Sequence, residues 1–116
     1  MAISKSTDGG ATFSAPIFAV TNDGRSFTLD KNWLAVNTFP GTPTFGRLAL
    51  TWTSLYASTA SNGVVVSDDG GTSWTRPKFV GASVSQATQP LFLPDGSLAI
   101  VYWNFDGNRV ECVLSE

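Results

Sequence analysis

Histidine is absent from this chain of 116 residues, and with it go the commonest general base and the commonest metal ligand. The single cysteine, Cys112, excludes an internal disulfide and a thiolate zinc cluster. Charged residues make up only 14% of the chain, seven basic against nine acidic, for a formal net charge of -2. Lys and Arg never form a run, so nucleic acid and anionic membrane surfaces find no electrostatic footprint. No apolar stretch approaches the ~20 residues of a membrane span. The opening Met-Ala-Ile-Ser-Lys-Ser also lacks the apolar core of a secretory signal. Helical periodicity is missing too, since apolar residues never keep i, i+3, i+4 spacing for more than a turn. Ordinary acid–base enzymes are disfavoured, and neither a metal nor an organic cofactor is expected.

What the chain does contain is short apolar runs, rich in Val, Leu, Phe, Thr and Trp, divided by Gly, Pro, Asn and Asp clusters. These predict strands over residues 2–6, 15–21, 33–37, 47–53, 63–67, 75–80, 90–93, 97–103 and 109–114. Turn signals fall between them: Asp8-Gly9-Gly10, Asn22-Asp23-Gly24, Asp69-Gly70-Gly71, Pro94-Asp95-Gly96 and Asp106-Gly107-Asn108. The predicted fold class is all-β, built from antiparallel hairpins, in one small domain with a modest core.

The sequence also repeats. Arg47-Leu48-Ala49-Leu50-Thr51-Trp52 aligns with Ser97-Leu98-Ala99-Ile100-Val101-Tyr102, 50 residues on. In both copies alternate positions carry the large side chains, which a pleated strand turns to one face. Ser6-Thr7-Asp8-Gly9-Gly10-Ala11-Thr12-Phe13 aligns with Ser67-Asp68-Asp69-Gly70-Gly71-Thr72-Ser73-Trp74, 61 residues on. A repeat of this size with four short strands matches a propeller blade with extended loops.

The two octets resemble the Asp-box, or bacterial neuraminidase repeat, of sialidase-like β-propellers. The resemblance covers most of the chain, including Asp30-Lys31-Asn32-Trp33-Leu34-Ala35-Val36 and Gly46-Arg47-Leu48-Ala49-Leu50-Thr51-Trp52-Thr53 as first and second strands of a blade. It implies blades of four antiparallel strands, with residues 1–21 as strands three and four of one blade. Residues 27–80 then form a complete blade, and 89–116 strands one to three of the next, so the chain reads as a fragment of about two blades. Completion by copies of the same chain is expected, a trimer giving the usual six-bladed ring. The third strand is represented twice, by 2–6 and by 109–114, so one copy must be displaced or pair at an edge. Open strand edges invite such pairing. Family members are often secreted, although no signal peptide is visible here.

Within the box, Asp8 and Asp69 can accept backbone N–H groups inside the turn, while Ser6, Thr12, Ser67 and Ser73 complete the motif. Gly10 and Gly71 permit positive φ. Phe13 and Trp74 are expected to fold over the hairpin and staple it. The family's catalytic set is not matched. Its arginine triad begins in an Arg-Ile-Pro motif that is absent, and the arginines are only Arg25, Arg47, Arg76 and Arg109. Arg47 and Arg76 read as solvated surface charges. The tyrosine nucleophile of the family needs a Glu partner, and no pairing of Tyr56 or Tyr102 with Glu111 or Glu116 is evident from the sequence. Asp30 is the one acid near the start of an innermost strand, a weak catalytic candidate beside the commoner role of a turn or strand cap. Trp33 and Trp52 fit strand packing. Asp30, Lys31, Tyr56 and Trp103, with Phe105, are the candidates for a ligand-facing surface. Cys112 reads as a small buried hydrophobe.

Three function classes follow. The first is a non-catalytic, self-assembling structural module. The second is part of an exo-sialidase-like glycoside hydrolase whose site needs further blades. The third is a carbohydrate-binding propeller.

Overall fold

The computed structural model describes residues 1–21 and 27–115. Three of the sequence features above, the Asn22-Asp23-Gly24 turn, Arg25 and Glu116, lie outside the described residues. The described chain is all-β, with nine strands: β1 (Ala2–Ile3), β2 (Ile17–Phe18), β3 (Thr28–Val36), β4 (Leu48–Leu55), β5 (Ala60–Ser67), β6 (Lys78–Val80), β7 (Ser85–Phe92), β8 (Leu98–Asn104) and β9 (Arg109–Leu114). They form three antiparallel sheets of sequential strands: β1-β2, β3-β4-β5-β6 and β7-β8-β9.

Pleating explains how these sheets stack. Successive residues of a strand face opposite ways, so Leu50, Trp52 and Val65 leave one side of the middle sheet and Ala49 and Val64 leave the other. The first set packs with Ala19, Val20, Met1, Ile3 and Leu29, which brings the two-stranded sheet onto that side. The second packs with Phe92, Leu98, Ile100 and Val113, which brings the three-stranded sheet onto the opposite side. Sheet order in space is therefore sheet order in sequence. Trp52, 1% exposed, sits at the centre of the first interface. Its indole takes the space beside Gly63, its pairing partner, where a Cβ would stand 2.2 Å from the ring.

A polar seam ties the middle and last sheets. Thr53 Oγ1 donates to Asn62 Oδ1 at 3.1 Å, Asn62 Nδ2 donates to Ser85 Oγ at 2.7 Å, and Ser85 donates on to the Ala82 carbonyl. All three side chains are fully buried, and each finds a partner, as buried polar groups must. A second latch joins the β3–β4 loop to the β7–β8 turn. Asn37 Nδ2 donates to Thr42 and Thr44, and Thr44 Oγ1 donates to the Gly96 carbonyl at 2.8 Å.

The strands differ from the sequence expectation at their ends. β1 and β2 shrink to two residues each, because only Ala2 and Ile3 find ladder partners, in Phe18 and Ile17. β3 and β7 begin earlier than expected, at Thr28 and Ser85 rather than 33 and 90. The cause is a bulge in each, between Asp30 and Trp33 and between Gln86 and Gln89. Lys31 and Ala87 absorb the bulges at φ 52° and 61°, a conformation uncommon for residues with a Cβ. By residue type the polar Asp30-Lys31-Asn32 falls outside the strand expected over 33–37, whereas the blade resemblance takes it as strand, and it lies within a nine-residue strand.

Two packing expectations are corrected by the structure. Cys112 is exposed, not buried, since β9 is the outer strand of its sheet and Cys112 points away from the middle sheet. Trp33 is 51% exposed because β3 is likewise the edge strand of its own sheet.

Candidate functional site

The two octet turns share one framework of hydrogen bonds, to which the second adds the N–H of Thr72 on Asp69 Oδ1 and the Thr72 hydroxyl on the Asp69 carbonyl. Ser6 Oγ donates to Asp8 Oδ1 at 2.7 Å and accepts the Gly10 N–H at 2.8 Å. Thr12 donates its N–H and its hydroxyl to the two oxygens of Asp8, at 3.0 and 2.6 Å. In the second turn Ser67 Oγ donates to Asp69 at 2.8 Å and accepts the Gly71 N–H at 2.8 Å, while Ser73 repeats the double donation of Thr12 at 2.9 and 2.6 Å. Gly10 and Gly71 both adopt positive φ, at 93° and 84°. Hydroxyl and backbone donors, Thr12 and Ser73 foremost, hold both carboxyls well below the usual carboxylate range. Every oxygen of the two carboxylates is thus taken up by its own turn. Lys5 Nζ then donates to the Gly70 carbonyl at 2.9 Å, which brings the turns side by side.

The aromatic that closes each octet behaves differently in the two copies. Trp74 packs into the interface of the first and middle sheets and donates its Nε1–H to the Gly71 carbonyl at 3.2 Å. Phe13, expected to staple its hairpin in the same way, is 66% exposed. Its aligned partner Trp74 faces the sheet that precedes its own. Phe13 has no such sheet beside it among the described residues.

Asp30 stands at the bulge of β3. Lys31 Nζ lies 4.0 Å from its carboxylate and Gln86 Nε2 lies 3.5 Å away, at the outer limit of hydrogen bonding. Two bulged edge strands therefore meet here. A glycosidase pair needs two carboxylates, and among the described residues none is bonded to Asp30. Tyr56 and Trp103 are not gathered with them into one pocket by any described contact. Tyr56 is 38% exposed and its ring lies against Phe27, centroids 5.3 Å apart. Trp103 is half-buried on β8, and Phe105 is exposed in the loop that follows.

One cluster escaped the sequence reading. Tyr102 Oη donates to Glu111 Oε2 at 2.8 Å, and Asn104 Nδ2 and Arg109 Nε donate to Glu111 Oε1 at 3.0 and 2.7 Å. Burial, with Glu111 beside it, pushes the Tyr102 phenol above its ordinary value. The three donors, Tyr102 first, hold Glu111 below its own. A tyrosine beside a carboxylate can act as a nucleophile and base. Here the phenol is 4% exposed and covered by the β6–β7 link, where a Cβ on Gly81 would meet the ring at 2.5 Å. The signal was present in the hairpin: a turn centred on Asp106-Gly107 puts Tyr102 opposite Glu111. The same counting across β4 and β5 leads to Arg47 and Asp68, joined by two hydrogen bonds of 2.6 and 2.9 Å rather than standing as a lone solvated cation.

Among the described residues no three His, Cys, Asp or Glu side chains gather as a metal site. Compared with protein-family models, with curated proteins and with solved structures, the chain matches none.

Proposed function

We propose that this chain is a structural repeat module of the Asp-box, sialidase-like propeller type, whose sheets are successive blades and whose octet turns fasten the blades rather than perform chemistry. The observation that carries this reading is the duplication of the turn. Two sites with the same acceptors, donors and distances use their carboxylates wholly on their own backbone and hydroxyls. A catalytic acid or base must keep an oxygen for its substrate. The stacking of sheets in chain order, each with its first strand at one edge, supports the blade assignment.

The glycoside hydrolase reading has one observation in its favour, the Tyr102–Glu111 pair. Its burial under Gly81 and its raised phenol speak for a packing role. The discriminating experiment is hydrolysis of an aryl sialoside together with a glycan array, run on the intact chain. No turnover and no glycan bound is the expected result. Turnover abolished by Tyr102→Phe would establish the hydrolase, and glycan binding abolished by Trp103→Ala would establish a carbohydrate-binding module.

A further inference from the structure

A groove of about 490 Å³ opens between the middle and last sheets, lined by Val64, Val66, Phe92, Leu98, Ile100 and Val113. Its walls have a filled counterpart inside the same molecule. Between the first and middle sheets, Leu48, Leu50 and Val65 form the wall that corresponds through the repeat to Leu98, Ile100 and Val113. Trp74 packs there, against Leu50 and Val65, with Leu48 alongside. The opposite walls correspond as well, Ala19 in the filled site standing where Val80 stands in the open one. In the middle sheet the strand after Trp74, β6, pairs the outer edge of β5, with Lys78 opposite Val64. In the last sheet no described strand pairs the outer edge of β9, where Val110 and Leu114 are each 63% exposed.

One segment of the chain has the matching form and is itself under-used. Phe13 aligns with Trp74 and is exposed, and β2 aligns with β6. Ile17 corresponds to Lys78 by the sequence offset of the octets, and independently by pairing, since Ile3 opposes Ile17 as Val64 opposes Lys78. In its own sheet β2 has a ladder of two residues, flanked by backbone bonds from Ser14 to Lys5 and from Ala19 and Val20 to Met1, whereas β9 offers six residues to a partner.

We infer that the groove and the free edge of β9 are the docking site for residues 13–18 of a second copy of this chain. Phe13 of that copy fills the groove as Trp74 fills its counterpart, and β2 pairs antiparallel with β9. The register follows from the repeat: Cys112 corresponds to Val64, so Ile17 of the second copy lies directly opposite Cys112. In that arrangement β9 takes the place of β1, and the face of the last sheet carrying Leu91, Cys112 and Leu114 comes to cover Leu34 and Val36 of the second copy. Those two side chains, 46% and 48% exposed, lie on the same side of the middle sheet as Leu50. The contact is head to tail, so it closes a ring or runs on.

This inference rests on the blade reading for its register, but not on the absence of catalysis. It is tested by Ile17→Cys in the otherwise intact chain, using the native Cys112 as partner. Directly opposed residues of an antiparallel pair bring Cα atoms to about 4.5–5.5 Å, within the Cα separation of about 4.4–6.8 Å that a disulfide spans. Mild oxidation is expected to give disulfide-linked multimers containing a 17–112 peptide, and Cys112→Ser is expected to abolish that peptide. Lys78→Cys, whose cross-strand partner lies within its own chain, is expected to give no 78–112 peptide. Light scattering on the unmodified chain is expected to read a multiple of 12.3 kDa, and Phe13→Ser to shift it toward that single mass. A monodisperse monomer at the highest soluble concentration overturns the inference. So does oxidation that yields 17–17 or 112–112 links alone. Either failure leaves the turn chemistry and the assay of the preceding section untouched.

Discussion

The turn around Asp8 and the turn around Asp69 share four hydrogen bonds at nearly the same distances, yet Phe13 stands 66% exposed while Trp74 is packed between sheets. The turn itself is a local object: Ser, Asp, Gly and a hydroxyl two to six residues away satisfy one another wherever they fall. The aromatic is not local. Its role depends on whether a neighbouring sheet supplies the opposite wall, and among the described residues only the second turn has one. A repeated motif can thus be one structure and two different contributions to stability.

The largest expected contrast lies in the aromatics. Trp74→Ala should cost about 3 kcal/mol, the lower end for truncating a packed large aromatic, because part of the indole stays accessible. That loss should not depend on protein concentration. Phe13→Ala should act only through the association proposed above. It should lower the urea midpoint in concentrated solution and fall within about 0.5 kcal/mol of the parent in dilute solution, as exposed substitutions do. Urea unfolding of both variants at two concentrations checks this, and equal losses at both dilutions would break the contrast.

How much of this was legible beforehand differs by element in a physical way. The octets and hairpin turns were readable because Asp-Gly chemistry is local, and the alternation of Leu48, Leu50 and Trp52 correctly marked one buried face. The early start of β7 was not readable, and that of β3 was readable only through the blade resemblance, which takes Asp30–Val36 as strand. Lys31 and Ala87 take positive φ without a glycine to announce it, and nothing in Asp30-Lys31-Asn32 resembles Gln86-Ala87-Thr88. Exposure failed for edge strands. Cys112 and Trp33 have the residue types of a core, and their exposure follows from which strands lie beside them. The Tyr102–Glu111 and Arg47–Asp68 pairs were legible in principle, since each follows from counting outward from its hairpin turn.

A smaller effect should come from acid. Both turn carboxyls are held below the ordinary range, so the folded chain keeps these charges at a pH where the unfolded chain has taken up protons. The stability they confer is complete above the unfolded value of about 4 and drains away as pH falls from there through the lower folded value. Asp69→Asn should lower the melting midpoint by several degrees at neutral pH and make the decline below pH 4 shallower. Asp8→Asn should do less, because the first sheet is held by a two-residue ladder and contributes less to the cooperative unit. Melting curves recorded from neutral pH downward check the order of the two. A steeper acid decline in Asp69→Asn than in the parent would contradict the assignment.

The smallest expected difference is the ion pair that, among the described residues, is found at the second turn and not the first. Asp68 binds Arg47 through both its oxygens, while the first octet carries the uncharged Thr7 at the matching position. The geometry is the strong, two-pronged kind, but the Asp68 side chain is 62% exposed and the Arg47 side chain 33%. Water and salt screen such a pair, and measured couplings for exposed pairs run about 0.2–1 kcal/mol. Asp68 also sits beside the Asp69 carboxylate, whose charge works against its own ionisation. Replacing it with threonine, as in the first turn, removes that repulsion along with the attraction. A double-mutant cycle with Arg47→Ala and Asp68→Thr, in which that repulsion cancels, should return a coupling below about 1 kcal/mol that shrinks as salt is added. A larger coupling, indifferent to salt, would mean that the pair is part of what holds the second turn in place. The two turns would then owe their shared geometry to different sources.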